Sequence, residues 1–200
     1  MTLYAIPFTC SLAVRWALAA RDVPCDVVWM RRFEHVLPDG TRFDDAVNPK
    51  RRVPALRLPD GELLTEIVAV LDHLDRAEER PPAERRRHLE WLAYLATELH
   101  RPTLLPLFDP ASPPATVEDA LHRHLPPVLD HLEAHLARSP TLLGGAPSGA
   151  DWYLLWALVL LRFQHRDHLR HPALLAFHAR WSAHPAAARV LADERARLGG

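Results

Sequence analysis

Cys10 stands between a strand-like run, Thr2 to Ile6, and a helix-like run, Ser11 to Ala20. A sulfur at such a junction meets the first turn of a helix, where unpaired backbone N–H groups and the helix dipole favour negative charge. The position therefore suits a thiolate, or a thiolate bound beside it. It is also open to a plainer reading, a buried and inert cysteine. Val53-Pro54 is the second feature: a cis peptide there would leave Val53 N–H and C=O free to pair with an extended peptide, whereas composition alone favours a trans proline at a strand edge. Thr65-Glu66 opens a helix, so a carboxylate lies beside N-terminal backbone donors. Together they make a site for an amino-acid head group, the donors taking its carboxylate and Glu66 its ammonium, or else a simple capping pair.

Other polar clusters read as structural. Ser148-Gly149-Ala150-Asp151 has the spacing of a capping box with Asp in place of Glu, so it starts a helix sharply. His131 and His135 share a helix face, and His165, His168 and His171 recur every three residues. With no HExxH and no ligand at zinc spacing from either cysteine, they read as histidines on solvated faces and predict no metal.

These residues need elements to place them. Thr2 to Ile6, the helix Ser11 to Ala20, and Cys25 to Met30, read as a buried strand with Cys25 in the core, open the chain as β-α-β. Arg52 to Leu58 is joined to Leu63-Leu64 through Pro59-Asp60-Gly61-Glu62, whose Asp-Gly signals a hairpin. A helix from Glu66 to Leu74 closes this part. Arg76 to Arg87 is charged and has no apolar face, which marks a linker. Helical blocks follow at 88–99, 117–136, 148–163, 173–183 and 186–198, separated by prolines, with Pro126-Pro127 expected to kink or divide the second. The organisation is residues 1–76 as a mixed α/β domain, 77–87 as linker and 88–200 as an all-helical domain.

Composition narrows the function. A formal net charge of −1 leaves no positive excess for a phosphate backbone, so nucleic-acid binding is disfavoured. The most apolar stretch, Trp152 to Leu161, is too short to span a bilayer, and the N-terminus lacks a signal peptide's basic start and apolar core, which predicts a cytoplasmic protein. Positive charge is almost wholly arginine, Lys50 being the sole lysine. With 19 prolines against 7 glycines, boundaries are best sought at proline.

In this order the motifs resemble the glutathione S-transferases, and among them the bacterial beta class. The resemblance spans nearly the whole chain. It is densest at Cys10-Ser11-Leu12-Ala13, Asn48-Pro49-Lys50 with Val53-Pro54-Ala55-Leu56, Leu64-Thr65-Glu66, Glu90-Trp91-Leu92, Ala96 through His100 to Pro106-Leu107-Phe108, and Gly149-Ala150-Asp151 with Tyr153-Leu154. It implies a thioredoxin-like N-terminal domain (β-α-β-α-β-β-α), an all-α C-terminal domain, a homodimer, and glutathione as cosubstrate with a small hydrophobic electrophile. By that resemblance Val53 would pair with the cysteinyl backbone of glutathione ahead of a cis Pro54, and Glu66 with the N–H of Ile67 would hold the γ-glutamyl end. Cys10 would face the sulfur, with His100 and Arg101 beside it. Arg32, or Arg31 next to it, would meet the glycyl carboxylate. Phe8, Phe108 and Leu160 would line the electrophile pocket.

Three departures stand out. Ala93 stands where beta-class enzymes often have an asparagine that reaches the partner subunit's glutathione, so the resemblance implies one intersubunit hydrogen bond fewer, worth on the order of 1 kcal/mol. Leu160 replaces a tryptophan, and Ile67 brings bulk where glycine can stand, crowding the γ-glutamyl group. Cys10, helped by the helix start and His100, would either activate the glutathione thiol by hydrogen bonding or form a mixed disulfide with it. Alternative readings are a glutathione-dependent isomerase or reductive dehalogenase, and a non-catalytic binding protein on the same fold.

Overall fold

Alternation builds the first strand: in β1 (Thr2–Ala5) Leu3 and Ala5 are buried while Thr2 and Tyr4 are half-exposed. The computed structural model describes residues 1–31, 34–76 and 79–197, the side chains of Gln164 and Arg166 excepted. β1 pairs parallel with β2 (Asp26–Trp29) and antiparallel with β3 (Ala55–Arg57), which pairs antiparallel with β4 (Leu63–Thr65), giving the order β2-β1-β3-β4. Leu3 lies opposite Val27 on one side and Leu56 on the other. The Asp-Gly hairpin forms as expected, with Gly61 at φ 91 and its N–H donating to Leu58 O at 3.0 Å.

The expectation of a buried second strand is corrected. β2 is an edge strand with Asp26 exposed and Val27 to Trp29 half-buried, and Cys25 is half-buried as well. The run is rich in β-branched and aromatic residues either way, and only sheet order decides whether a strand has one neighbour or two.

α1 (Ser11–Ala19) buries Leu12, Ala13, Val14, Trp16, Ala17 and Leu18. A short helix, α2 (Phe43–Ala46), ties the long β2–β3 connection down through Phe43, which is fully buried with Ile6, Met30 and Ala55. α3 (Ile67–Asp75) buries Ile67, Val70, Leu71 and Leu74 and packs on α1, where Arg21 forms an ion pair with the buried carboxylate of Asp75. The order β-α-β-α-β-β-α is that of a thioredoxin-like domain.

Four of the later helices begin on proline: α4 (Pro82–Tyr94), α6 (Pro114–Asp119), α9 (Pro172–Ser182) and α10 (Pro185–Ala196). A proline there lacks only an N–H that the first turn leaves unpaired anyway. α4 passes into a π-helical stretch, Leu95–Leu104, and then α5 (Leu105–Phe108). α6 likewise runs through Ala120–His124 into α7 (Leu125–Leu136). Both widened stretches adjoin prolines inside a helix, Pro102 and Pro126-Pro127, whose missing N–H and ring clash disrupt the regular ladder. The helix is divided by widening, not by breaking.

α8 (Gly149–Gln164) is buried continuously from Ala150 to Leu161. The chain forms two compact units, Met1–Glu78 with Ala183–Gly200, and Glu79–Ser182. In the first, α10 packs on α1, with the Trp16 indole N–H donating to Ala187 O at 3.1 Å. In the second, α8 packs against α4 and α9.

The start of α8 depends on Asp151, which is 1% exposed and accepts hydrogen bonds from Ser148 N–H (2.8 Å), the Ser148 hydroxyl (2.7 Å) and Leu142 N–H (2.8 Å). Asp151→Ala strands two buried backbone donors, so it should destabilise the fold by about 3 kcal/mol. A denaturant titration checks this: the midpoint should fall with the slope unchanged.

Candidate functional site

The loop from β1 to α1 is built to hold one residue. Phe8 adopts φ 58, and the turn is closed on the carbonyl of Ile6, which accepts Thr9 N–H (3.2 Å), the Thr9 hydroxyl (2.8 Å) and the Ser11 hydroxyl (3.2 Å). Cys10 then caps α1, 6% exposed, its Sγ donating to the carbonyl oxygen of Val53 at 3.3 Å.

Of the readings left open for Cys10, that burial favours a protonated thiol over a thiolate on Cys10 itself. Desolvation pushes the Cys10 thiol up to about 12 from an ordinary 9.0, and the Glu66 carboxylate adds to the rise. The backbone donors of Cys10 and Ser11, with Arg52, pull the other way and lose. Cys10 is therefore a neutral thiol at physiological pH, and its one proton, held by the Val53 carbonyl, can be given to another acceptor only by turning away from it.

The Val53-Pro54 bond is cis, Pro54 is buried, and Val53 N–H makes no hydrogen bond to the described residues. The turn before it is fixed by Asn48, 1% exposed, whose side-chain amide donates to Arg52 O at 2.8 Å and whose side-chain oxygen accepts Lys50 N–H at 3.2 Å. This turn delivers Lys50, whose Nζ lies 2.6 Å from Glu66 Oε1 and 2.7 Å from Thr65 Oγ1. Glu66 caps α3 at φ 71 and ψ 124, a backbone conformation a side-chain-bearing residue rarely adopts. The first N–H groups of α3 that follow have no partner within the helix. Ile67 is only 8% exposed, its side chain packed into the core at the start of α3.

Cys10, Val53, Pro54, Glu66 and Ile67 thus meet in the first unit, together with Phe8, half-buried in the loop. Arg32 lies outside the described residues; Arg31 is exposed and 3.6 Å from Glu34. In the helical unit, His100 sits in the π-helical stretch, where Thr103 donates its hydroxyl to Leu99 O and, at 3.2 Å, to Glu98 O. That hydroxyl serves a turn from which Pro102 withholds its N–H. His100 Nδ1 shares a 2.6 Å hydrogen bond with Tyr153 Oη, and its ring lies edge-on to Trp156 at 4.6 Å. Arg101 and Ala93 are exposed, Phe108 is half-buried with its ring 5.9 Å from that of His165, and Leu160 is buried on α8.

Lys50, Tyr153 and Glu194 escaped selection as site residues. Lys50 carried a signal, as the one lysine in an arginine-rich chain. Tyr153 carried a weaker one, since a tyrosine on an all-apolar helix must find a partner for its hydroxyl. Glu194, whose Oε2 accepts Phe8 N–H at 2.7 Å, carried none. Among the described residues no group of three His, Cys, Asp or Glu could hold a metal ion, and no helix is long and apolar enough to cross a membrane.

The arrangement can do three things. It can pair the strand-like Val53 N–H, and its C=O once the Cys10 S–H turns away, with an extended peptide, hold a zwitterionic head group between Glu66 and the start of α3, and donate a thiol proton to an anion beside α1. Residues 9–77 match the glutathione S-transferase N-terminal domain and residues 114–192 the C-terminal domain of that family. The chain is 34% identical over 165 residues to glutathione S-transferase GstA of Escherichia coli O157:H7, covering 79% of this chain and 81% of that protein. A sphingomonad glutathione S-transferase complexed with glutathione superposes with a TM-score of 0.89 at 30% identity, over 97% of this chain and 98% of the other. The bacterial beta class enzyme of Sphingomonas chungbukensis does so at 0.89 and 29%, with the same coverage. On these matches the chain belongs to the glutathione S-transferase family and has beta-class enzymes among its structural neighbours.

Proposed function

We propose that this protein conjugates glutathione to small hydrophobic electrophiles, with Cys10 acting as a neutral hydrogen-bond donor to the glutathione thiolate. The observation that carries this reading is the buried Cys10 thiol at the head of α1, its Sγ 3.3 Å from the Val53 carbonyl, a burial that favours the protonated form. Glutathione would pair its cysteinyl backbone with Val53 N–H and C=O. Its γ-glutamyl ammonium would go to Glu66, in the place now held by Lys50, and its α-carboxylate to Lys50 and the first N–H groups of α3, Ile67 among them. The glutathione sulfur then meets the Cys10 S–H, which stabilises negative charge where it is needed for attack. The glutathione thiol gives its proton to solvent, the resulting thiolate forms a carbon–sulfur bond with the electrophile, and the leaving group departs with its electron pair.

The proton on Cys10 also ranks the two routes. A mixed disulfide started by Cys10 needs its thiolate, which burial suppresses, so disulfide exchange and peroxide reduction through Cys10 take second place. His100 and Arg101 would complete the thiol's surroundings, and Phe8, Phe108 and Leu160 the electrophile pocket. We read the unit that holds residues 1–76 as the glutathione-binding domain; the linker expected over 77–87 is entered by α4 from Pro82, and α10, expected in a helical domain running to residue 200, packs on α1 of the first unit. A homodimer in the cytoplasm is the setting that family membership supports.

Conjugation of 1-chloro-2,4-dinitrobenzene, followed by absorbance, tests the role of Cys10. Cys10→Ala should lower kcat/KM about a hundredfold and Cys10→Ser, which keeps a donor, by no more than roughly fivefold; full activity in Cys10→Ala would overturn the role. Iodoacetamide at about pH 8 should alkylate Cys10 far more slowly in the folded protein than in urea, because the thiolate is the nucleophile. For Glu66, calorimetry should show Glu66→Gln weakening glutathione binding about tenfold or more through the lost charge-assisted bond. Glu66→Gly should weaken it equally yet melt no lower than the parent, since glycine adopts φ 71 without strain.

A further inference from the structure

The loop that presents Cys10 is anchored at one end on Ile6 O, and its other anchor comes from the far end of the chain. Glu194, near the end of α10 and fully buried, divides its carboxylate between two donors: Oε2 accepts Phe8 N–H at 2.7 Å, and Oε1 accepts Arg15 Nη1 at 2.8 Å. Phe8, at φ 58, turns its N–H away from the run of β1, and the carboxylate meets it there. Cys10 follows two residues later. Burial pushes the Glu194 carboxyl above its ordinary range while Phe8 N–H and Arg15 pull it back, and Arg15 is shared, pairing also with Asp193 Oδ2 at 2.7 Å with its guanidinium 4.7 Å from the centre of the Trp29 ring. Arg197, 4.3 Å from the same ring, pairs with Asp193 at 3.3 Å.

We propose that Glu194 is a positioning residue for Cys10: its Oε2, by holding Phe8 N–H, sets the left-handed turn that keeps the Cys10 thiol at the head of α1 against the Val53 carbonyl. The inference deepens the proposed function and rests on Cys10 facing the glutathione sulfur. Docking α10 on α1 does not by itself require this carboxylate contact. The Trp16 indole to Ala187 O bond and the Arg15–Asp193 pair join the two helices without touching the loop. What Glu194 alone adds is the tie to Phe8. Its neighbour Asp193 shares Arg15 and not Phe8, which makes it the natural control.

Glu194→Asp keeps a charge for Arg15 while withdrawing the carboxylate from Phe8, Glu194→Ala removes both contacts, and Glu194→Gln keeps an acceptor for Phe8 N–H. In the absence of glutathione, iodoacetamide labelling followed by peptide mass should modify Cys10 about tenfold faster in Glu194→Asp and Glu194→Ala, and near the parent rate in Glu194→Gln and Asp193→Ala. With glutathione and chlorodinitrobenzene, Glu194→Asp should lose about tenfold in kcat with KM for glutathione changed by less than roughly threefold, the pattern of a displaced donor with intact recognition. Parent labelling and kcat in folded Glu194→Asp would overturn the inference. Equal losses in Asp193→Ala would also overturn it, by showing that only the docking of α10 matters. If Glu194→Ala does not fold, Glu194→Asp and Glu194→Gln decide. Failure of the unmodified protein to bind glutathione would sink the functional reading instead, while the labelling comparison still decides the role of Glu194.

Discussion

The exclusion of water from Cys10 is the constraint on which the chemistry turns. A helix start offers a sulfur backbone donors and a favourable dipole, and an exposed cysteine there would be a thiolate. Here the sulfur lies under the loop and against Val53 O, and the cost of burying a charge exceeds what the donors return. The same apolar packing that fixes the thiol therefore keeps it protonated, and turns a would-be nucleophile into a donor for a neighbouring nucleophile.

The surroundings of that thiol are set by backbone geometry more than by side-chain reach. Phe8, Arg51 and Glu66 have positive φ, and the Val53-Pro54 bond is cis. Each lies in a turn beside Cys10 or at the start of α3, and each is over-determined by neighbours: Phe8 by Glu194, the Arg51 turn by the buried Asn48, Glu66 by the first bonds of its helix. Left-handed backbone at side-chain-bearing residues costs of order 1 kcal/mol or more, which the packed core behind the loops sustains. In the helical unit Tyr153 and Trp156, both on the buried helix α8, orient His100, and a widened helix lets a proline stand two residues after it.

Much of this was written in local pattern. Proline marked the starts of α6, α9 and α10 because a first-turn proline loses nothing there, and Ser148 with Asp151 marked α8 because capping uses residues close in sequence, whereas the first turns of α4 read as linker because Arg76 to Arg87 has no apolar face. Cys10, Val53-Pro54 and Glu66 were recognisable because each sits at an element boundary where a special residue has a local job. The strand of Asp26–Trp29 was misjudged as buried because composition reports a preference for sheet and says nothing of sheet order.

By itself, then, the sequence determined most of the elements and their order, and marked residues suited to meet a peptide thiol, since periodicity, capping and proline act over a few residues. The tertiary structure decided three things that local pattern cannot encode. It set the protonation of Cys10, which depends on everything packed around the sulfur. It brought Lys50 onto Glu66, through the folding of a turn held by Asn48. And it placed Glu194 of the last helix on Phe8 of the first loop, a contact 186 residues apart that exists only once α10 has docked on α1.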